Sequence, residues 1–419
     1  MKLPFRERKK IHQEIVPSKQ EDFQNSAAII INPRARKVTK EVIEYCKHFA
    51  RKQKRAEFQV YIPDSLQGLE EIIKKEVVQK RSGLVLPCGG DGVLYQAWNQ
   101  TYNFASEAGQ HVPPFSILGC GTGNGVAGLV GSTNYKAVLH QLSTFLDKGK
   151  KISRLPLKEF PLLRVEGETS KGERTKPLYF TFAGSGLDAE VLNRFNEYKD
   201  KHNGLWKGWR GYARAVIMTV FETMVTPWKT DMSAVALRVQ GNNYYRYDPH
   251  GPDPAEVKIS CAPDEDILID LLKNEEEEKK QEGEADNKKN ENEKRIHAVV
   301  VGTSVKYGFG FKAFPYARLA GKVDGGKFHV RVVAGPRGKV IFDFLTHIPS
   351  LWRGTYCSPY IHDYFLDDFT VEHQGEGEGI PFQIAGEAQG NFKRIRYQKA
   401  SEPMRVYNAL KPSWWRKER

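Results

Sequence analysis

Two glycine-rich loops contain the residues best suited to chemistry in this sequence. Gly89-Gly90-Asp91-Gly92 follows the apolar run Leu84–Leu86, and Gly121-Thr122-Gly123-Asn124 comes shortly after the apolar run Phe115–Leu118. Glycine lets the backbone approach a ligand closely, and a turn of this kind that opens a helix directs backbone N–H groups toward phosphate. Two such loops, each following a predicted strand, indicate a nucleotide phosphate site.

Asp91 is the candidate catalytic residue of the first loop. Its flanking glycines would leave the carboxylate exposed at a strand end, where it could take a proton from a hydroxyl or organise a metal–nucleotide complex. A turn aspartate that hydrogen-bonds its own backbone is the structural alternative. Neither loop is followed by Gly-Lys-Ser/Thr, and neither matches the dinucleotide-binding pattern of Gly-x-Gly-x-x-Gly with an acidic residue about 20 positions on. The loops therefore differ from the commonest nucleotide motifs.

The segments around these loops alternate between strand and helix over residues 26–150. Ala27–Ile31 is a continuous apolar run that ends at Asn32-Pro33, as expected of a buried parallel strand. A helical pattern, an alternating strand pattern and a second helix behind the N-cap Ser65 precede the first loop. This order predicts a doubly wound α/β domain with its ligand at the carboxyl ends of the strands.

The pattern changes after residue 150. Short alternating segments predict an antiparallel, β-rich second domain over residues 151–400, interrupted by one helical stretch at 209–221. The charged run within 273–296 has almost no apolar residue and is predicted to be a disordered loop insertion. Residues 1–25 and 401–419 are interpreted as basic termini.

Composition favours a soluble protein of a reducing compartment. The chain of 419 residues has five cysteines without Cys-x-x-Cys spacing, which argues against a zinc site or a disulfide framework. It has no apolar run long enough to span a bilayer, and its charged N-terminus is unlike a signal peptide. These features predict a cytoplasmic protein.

The net charge of +13 indicates an anionic partner. No helix-turn-helix, zinc-finger or RNA-recognition signature is present, so nucleic acid is not predicted. A phosphorylated substrate and an anionic membrane surface are the other classes, and a basic surface that only aids solubility is the plain alternative.

Five segments together resemble the diacylglycerol kinase/sphingosine kinase family of lipid kinases, over roughly residues 26–400. In chain order they are Asn32-Pro33-Arg34, Gly89–Gly92, Gly121–Asn124, Gly184–Glu190 and Ala385-Gly386-Glu387, the last being similar to the family's Asp-Gly-Glu. The first loop alone is shared with NAD kinases and phosphofructokinases, whereas the ordered set is more specific. The resemblance implies a phosphotransferase that uses ATP and Mg²⁺, with the nucleotide in the cleft between the two domains.

The resemblance also implies a role for each matching position. Asp91 would be the base or metal organiser near the acceptor hydroxyl, Asp188 would face the lipid head group, and Glu387 would assist Mg²⁺ or the nucleotide. The nucleotide would be lined by Asn32, Arg34, Gly89, Gly90, Gly92, Gly121, Thr122, Gly123, Asn124 and Glu387, with Thr122 at its phosphates.

Three positions depart from the family pattern. Gln96 and Ala385 stand where the family commonly has acidic residues, and Ala35-Arg36-Lys37 stands where it often has glycines before a lysine. The missing carboxylates would leave more of the acid–base chemistry to Asp91. They motivate a catalytically weak or inactive lipid- or nucleotide-binding protein as an alternative. A soluble-substrate kinase similar to NAD kinases is the other alternative.

The acceptor class stays open within the resemblance. Asn32-Pro33-Arg34 favours the sphingosine kinase side and Gly121–Asn124 favours the bacterial diacylglycerol kinase side, so diacylglycerol and a sphingoid base are both candidates. Peripheral membrane association is expected in either case, because indole rings and nearby cations favour the head-group layer. The candidate insertion residues are Trp206, Trp209, Trp414 and Trp415; packing of the first two in a core is the alternative.

Overall fold

The computed structural model describes residues 23–121, 124–201, 214, 218, 235–239, 243–247, 258–260, 296–307, 311–323, 325–373, 377 and 379–409. Some predicted features lie outside these ranges, namely Thr122, Gly123, Trp206, Trp209, Trp414, Trp415, residues 273–295 of the charged run and most of the predicted helix at 209–221. Ile296, the last residue assigned to the charged run, begins a strand instead.

The N-terminal domain is built on a parallel sheet with the strand order β2-β1-β3-β4 in the part of the chain described. Residues of β1 alternate between two cores: Ala28 and Ile30 pack on one face of the sheet, and Ile29 and Ile31 pack on the other. Helices cover both faces, which confirms the predicted α/β arrangement. Its elements are β1 Ser26–Ile31, α1 Lys40–Lys52, β2 Glu57–Tyr61, α2 Leu66–Ile72 with a π-helical continuation Ile73–Gln79, β3 Leu84–Gly89, α3 Asp91–Glu107, β4 Leu118–Gly119, α4 Gly125–Leu129 and α5 Tyr135–Asp147.

The strand order predicts a crevice at the carboxyl ends of β1 and β3. From β1 the chain passes outward to β2, and it then returns to β3 on the other side of β1. Loops that leave adjacent strands in opposite directions open a crevice between them, where doubly wound proteins bind ligands. Asn32 follows β1 and Gly90 follows β3, so both predicted motifs flank this crevice.

The following region is β-rich and antiparallel, as predicted, but it also contains the helices Leu187–Lys201 and Arg337–Arg353, which were not predicted. In the described ranges it contains an eight-stranded sheet of order β11-β10-β14-β13-β12-β8-β16-β17 and a five-stranded sheet of order β7-β6-β18-β15-β9. The two sheets share a core, in which the ring of Phe328 lies 5.9 Å from that of Phe369. The elements are β5 Leu157–Phe160, β6 Leu163–Glu168, β7 Leu178–Phe180, β8 Phe182–Gly186, α6 Leu187–Lys201, β9 Val235–Val239, β10 Asn243–Tyr247, β11 Lys258–Ser260, β12 Ile296–Gly302, α7 Ala317–Ala320, β13 Phe328–Ala334, α8 Arg337–Arg353, β14 Ile361–Leu366, β15 Asp368–His373, β16 Ile380–Ile384, β17 Glu387–Phe392, β18 Arg394–Lys399 and β19 Met404–Tyr407.

The end of the described chain returns to the N-terminal domain. Strand β19 pairs with β5, and Phe115 bridges Val85 of β3 on one side and Val406 of β19 on the other. The predicted strand at 115–118 is therefore divided into this bridge and the short β4. Residues 404–407, assigned to the basic C-terminus, form a strand that links the two regions.

Candidate functional site

Asp91 lies where the two glycine loops meet. Gly90 is the N-cap of α3 and Asp91 is the first residue of that helix. The carboxylate accepts hydrogen bonds from the backbone N–H groups of Gly125 (2.8 Å) and Val126 (3.2 Å), at the start of α4. Asp91 is only 5% exposed, so the expectation of an exposed carboxylate is wrong: the second loop covers it. Nor does it bond its own backbone turn, since its partners come from the other loop.

The surroundings of Asp91 shift its pKa toward neutrality. Burial raises the pKa of Asp91 to about 6, while the N–H groups of Gly125 and Val126 and the cation of Lys306 partly offset that rise. A carboxylate with this pKa is mostly ionised at neutral pH and still basic enough to hold a transferred proton. Such tuning is typical of general bases, although structural networks also produce it.

The two glycine loops touch through their backbones. A Cβ atom on Gly121 would overlap the Cα of Gly90, so a side chain at position 121 requires the loops to separate. The loops are also joined by a hydrogen bond from the N–H of Cys120 to the carbonyl of Gly89 (2.9 Å). Asn124 donates from Nδ2 to the carbonyl of Gly121 (3.1 Å), which closes the second loop on itself. The glycines thus permit contact between the loops, in addition to the predicted approach of a ligand.

Asn32 and Arg34 lie at the same edge of the sheet. The Oδ1 atom of Asn32 accepts a hydrogen bond from the N–H of Arg34 (2.9 Å), which forms a tight turn directly after β1. The guanidinium of Arg34 donates to the carbonyl of Asp64 (3.3 Å), between β2 and α2. The N–H of Lys37 donates to the carbonyl of Cys120 (3.2 Å), so this segment also meets the second loop.

Glu387 reaches the first loop from the β-rich region. A Cβ on Gly92 would overlap its Oε1 atom, so the absence of a side chain at position 92 makes room for the carboxylate. Glu387 follows a turn in which Ala385 and Gly386 both have positive φ angles, of 60° and 78°. These contacts bring the fifth motif against the first loop, although the two are far apart in sequence.

Asp188 forms a second carboxylate centre at the start of α6. Its Oδ2 atom accepts hydrogen bonds from the hydroxyl of Tyr307 (3.1 Å) and from Nε2 of Gln383 (3.0 Å). Burial raises the pKa of Asp188 to about 6, and these hydrogen bonds partly offset that rise. A Cβ on Gly184 would overlap the carboxylate, so the glycine of the Gly-Ser-Gly segment provides its space. Among the described residues, the buried Oδ1 has no side-chain partner.

Tyr307 and Gln383 join the two carboxylate centres, and the sequence analysis did not identify either. Nε2 of Gln383 also donates to the Tyr307 hydroxyl (2.6 Å), and its Oε1 accepts from the N–H of Gly386 (3.0 Å), beside Glu387. The backbone oxygen of Tyr307 lies 3.2 Å from a Cβ placed on Gly125, whose N–H binds Asp91. Gln383 precedes the Ala-Gly-Glu motif by two residues, which is the one local signal that could have pointed to it.

Lys306 is a third group that sequence reasoning missed. Its Nζ lies 2.9 Å from a Cβ placed on Gly128 of α4, and its charge acts on Asp91. A cation at this position can balance the charge of a phosphate at the glycine loops.

The carboxylates present are suited to Mg²⁺ only together with a nucleotide. No cluster of three or more histidine, cysteine or acidic side chains with metal-binding geometry occurs in the described residues. Mg²⁺ commonly binds one or two carboxylates plus phosphate oxygens and waters. The exposed Glu387 fits this pattern better than Asp91, both of whose oxygens already accept backbone hydrogen bonds.

Residues 26–151 match the diacylglycerol kinase catalytic domain family. The match confirms the resemblance drawn from the motifs, and a diacylglycerol kinase catalytic domain indicates a kinase. The residue roles implied by the resemblance stay predictions.

Solved structures similar to the chain include two kinases. A diacylglycerol kinase from Bacillus anthracis str. Sterne has 11% identity and a TM-score of 0.48, and the match covers 92% of this chain and 97% of the other. The yeast NADH kinase complexed with NADH has 10% identity and a TM-score of 0.42, with 94% and 86% covered. A comparison with curated proteins found no match.

Proposed function

We propose that the protein is an ATP-dependent lipid kinase that transfers the γ-phosphoryl group of ATP to a hydroxyl of a membrane lipid, either diacylglycerol or a sphingoid base. The observation that carries this proposal is the position of Asp91. It lies between two glycine loops of a diacylglycerol kinase catalytic domain, and its pKa is raised to about 6. Glu387 and the Asp188 centre approach the same loops from the β-rich region.

The nucleotide would occupy the crevice at the ends of β1 and β3, in the cleft between the two domains. Asn32, Arg34 and the glycine loops line this edge of the sheet, and Lys306 adds positive charge beside α4. Backbone N–H groups and a nearby cation stabilise phosphate charge without any covalent step. Thr122 would add a hydroxyl to the phosphate contacts.

Asp91 would act as the base of the transfer. As the acceptor oxygen forms its bond to the γ-phosphorus, the bond from that phosphorus to the bridging oxygen of ADP breaks, and the hydroxyl proton passes to Asp91. Glu387 and Asp91 are the candidate ligands of Mg²⁺, which would neutralise phosphate charge when bound with the nucleotide. Gly125 and Val126 hold the Asp91 carboxylate in place for this proton transfer.

Asp188 would bind the head group of the acceptor lipid. Its Oδ1 can accept a hydrogen bond from a hydroxyl or from the ammonium group of a sphingoid base, while Tyr307 and Gln383 hold Oδ2. Because Tyr307 also lies against Gly125, a ligand at Asp188 would lie close to the glycine loops.

A lipid kinase of this kind must reach a hydroxyl at a membrane surface. In the described ranges no helix is long and apolar enough to cross a bilayer, and the chain carries a net charge of +13. Reversible, peripheral binding to an anionic membrane is therefore part of the proposal.

Labelled ATP tests the proposal directly. The protein is incubated with Mg²⁺ and mixed detergent micelles of diacylglycerol, sphingosine, ceramide or monoacylglycerol, and in parallel with NAD; the products are then separated. A phosphorylated lipid that forms with the wild type and not with Asp91→Asn supports the proposal and names the acceptor. Phosphorylated NAD would support the soluble-substrate alternative. ATP or lipid binding without any product would support a non-catalytic role, as the absence of a carboxylate at Ala385 motivates.

A further inference from the structure

Helix α8 has one apolar side that packs on the sheet. Val340 and Phe344 contact a cluster that includes Ala298 of β12 and Val333 of β13. Leu351, on the same side, is 9% exposed, and Ile341, near the start of the helix and one turn before Leu345, is also buried (6% exposed). This inner side therefore buries apolar surface against the sheet.

The opposite side of α8 is apolar too, and it faces solvent. Phe342, Leu345, Ile348 and Trp352 are 69%, 39%, 47% and 42% exposed, and they are four of the seven exposed large apolar side chains in the described residues. Their spacing of three and four residues puts them on one stripe of the helix. We call these four residues the outer stripe. Its concentration on one element distinguishes it from scattered apolar residues, which are normal on a surface.

The charge around the outer stripe is positive. Lys339 and Arg353 are exposed and adjoin the stripe by helical spacing, and Lys312 is exposed beside the end of the helix, where its N–H donates to the carbonyl of Trp352 (3.1 Å). The acidic residue of α8 is Asp343, which is buried and accepts hydrogen bonds from Tyr356 and Ser358 (2.6 Å each). Among the described residues of α8, the exposed side thus combines apolar and cationic groups without a carboxylate.

The outer stripe ends close to the candidate acceptor site. The ring of Trp352 lies 5.6 Å from that of Phe311, and Phe311 lies 6.2 Å from Tyr307. The hydroxyl of Tyr307 donates to Asp188. Two aromatic contacts therefore separate the exposed stripe from the carboxylate proposed to bind the lipid head group.

We propose that the outer stripe of α8 inserts into the head-group layer of an anionic lipid bilayer and holds the Asp188 centre at the membrane surface. The role given to this surface rests on the lipid kinase function proposed above, whereas the observations that identify the surface do not depend on that function. Helices with an apolar face bordered by lysine and arginine lie in the membrane interface in this manner. A second copy of the chain is a poorer occupant, because a two-fold contact along the stripe would bring Lys339 and Arg353 of both copies together.

Vesicle flotation of the full chain tests the surface. The variant carries Phe342→Gln, Leu345→Gln and Ile348→Gln, which remove apolar area and keep good helix formers. The matched control carries Ile62→Gln and Leu66→Gln, at two exposed apolar positions of the N-terminal domain. We expect the wild type and the control to float with phosphatidylcholine vesicles that contain about 30% phosphatidylglycerol. The variant should bind at least about tenfold more weakly with an unchanged melting temperature.

Three results would overturn the proposal. The wild type does not float at low salt, or the folded variant floats as well as the wild type. In the third, the wild type is a dimer, the variant is not, and neither protein floats. Phosphorylation of a short-chain diacylglycerol dispersed as monomers separates this proposal from the proposed function. Equal activity of wild type and variant on that substrate, with weaker flotation of the variant, supports both. If the variant loses flotation but the wild type phosphorylates no lipid, the membrane-binding surface is supported and the kinase function is rejected.

Discussion

At the residue scale, substitution of Asp91 is the most direct test of the proposed chemistry. We expect Asp91→Asn to lower turnover by about a hundredfold or more, because the amide cannot take the hydroxyl proton. Its Oδ1 can still accept one of the two backbone hydrogen bonds at α4, so ATP binding should persist. Turnover is measured with the acceptor found above, and ATP binding by calorimetry. Asp147→Asn, at an exposed position in the same domain, is the control, and near-normal turnover of Asp91→Asn would remove the assigned role.

The raised pKa values of two carboxylates give a second prediction at this scale. Burial raises the pKa of both Asp91 and Asp188 to about 6, so each loses its charge as the pH falls through that value. If both must be ionised, kcat/KM should be constant above neutrality and should fall by up to about two decades per pH unit below pH about 6. Asp188→Asn should reduce that slope to about one decade per pH unit. A profile that stays flat down to the ordinary carboxyl pKa would contradict the prediction.

Local patterns in the sequence indicated candidate site residues better than they indicated the surroundings of those residues in the fold. The flanking glycines suggested an exposed Asp91, but the second loop buries it, and this packing between loops has no local signature. The roles of Tyr307 and Gln383 were missed for the same reason, since each acts through contacts with residues distant in sequence. The roles of Asn32, Arg34 and Glu387 stay predictions, although the structure places all three beside the loops.

At the element scale, the junction of β8 and α6 makes a prediction about the acceptor. A Cβ on Gly184 would overlap the Asp188 carboxylate, so Gly184→Ala should displace it from Tyr307 and Gln383. We expect the KM for the lipid to rise at least about tenfold, while the affinity for ATP changes little. Gly338→Ala in α8 is the matched control, because a Cβ there meets no atom within 4 Å. An unchanged lipid KM in Gly184→Ala would show that Asp188 does not bind the acceptor.

The elements themselves were predictable to the extent that their patterns are local. The apolar run of β1 falls within the observed strand, because burial of both faces of a parallel strand dictates a continuous apolar pattern. The predicted strand at 115–118 was only partly correct, since Phe115 lies between strands that come from both regions. The outer stripe of α8 was not predicted because the helix Arg337–Arg353 itself was not predicted, and the exposure of its apolar residues depends on contacts distant in sequence.

At the scale of the whole molecule, one of the contacts between the two regions is made by the end of the described chain. β19 pairs with β5, Tyr407 donates its N–H to the carbonyl of Phe115 (2.7 Å), and Phe115 donates to the carbonyl of Arg405 (2.8 Å). Met404 and Val406 are fully buried. The strand therefore extends the parallel sheet with residues that the sequence analysis assigned to a basic terminus.

Truncation distinguishes this strand from the residues that follow it. Removing residues 404–419 should lower the melting temperature by at least about 5 °C, because it leaves the backbone of Phe115 and β5 unpaired and opens the core around Met404. Removing only 410–419 keeps the strand and is the matched control, with a melting temperature close to that of the full chain. Calorimetry of the three chains measures the effect. If both truncations melt with the full chain, the strand contributes nothing to stability; if both melt lower by the same amount, the stabilising residues lie beyond Ala409.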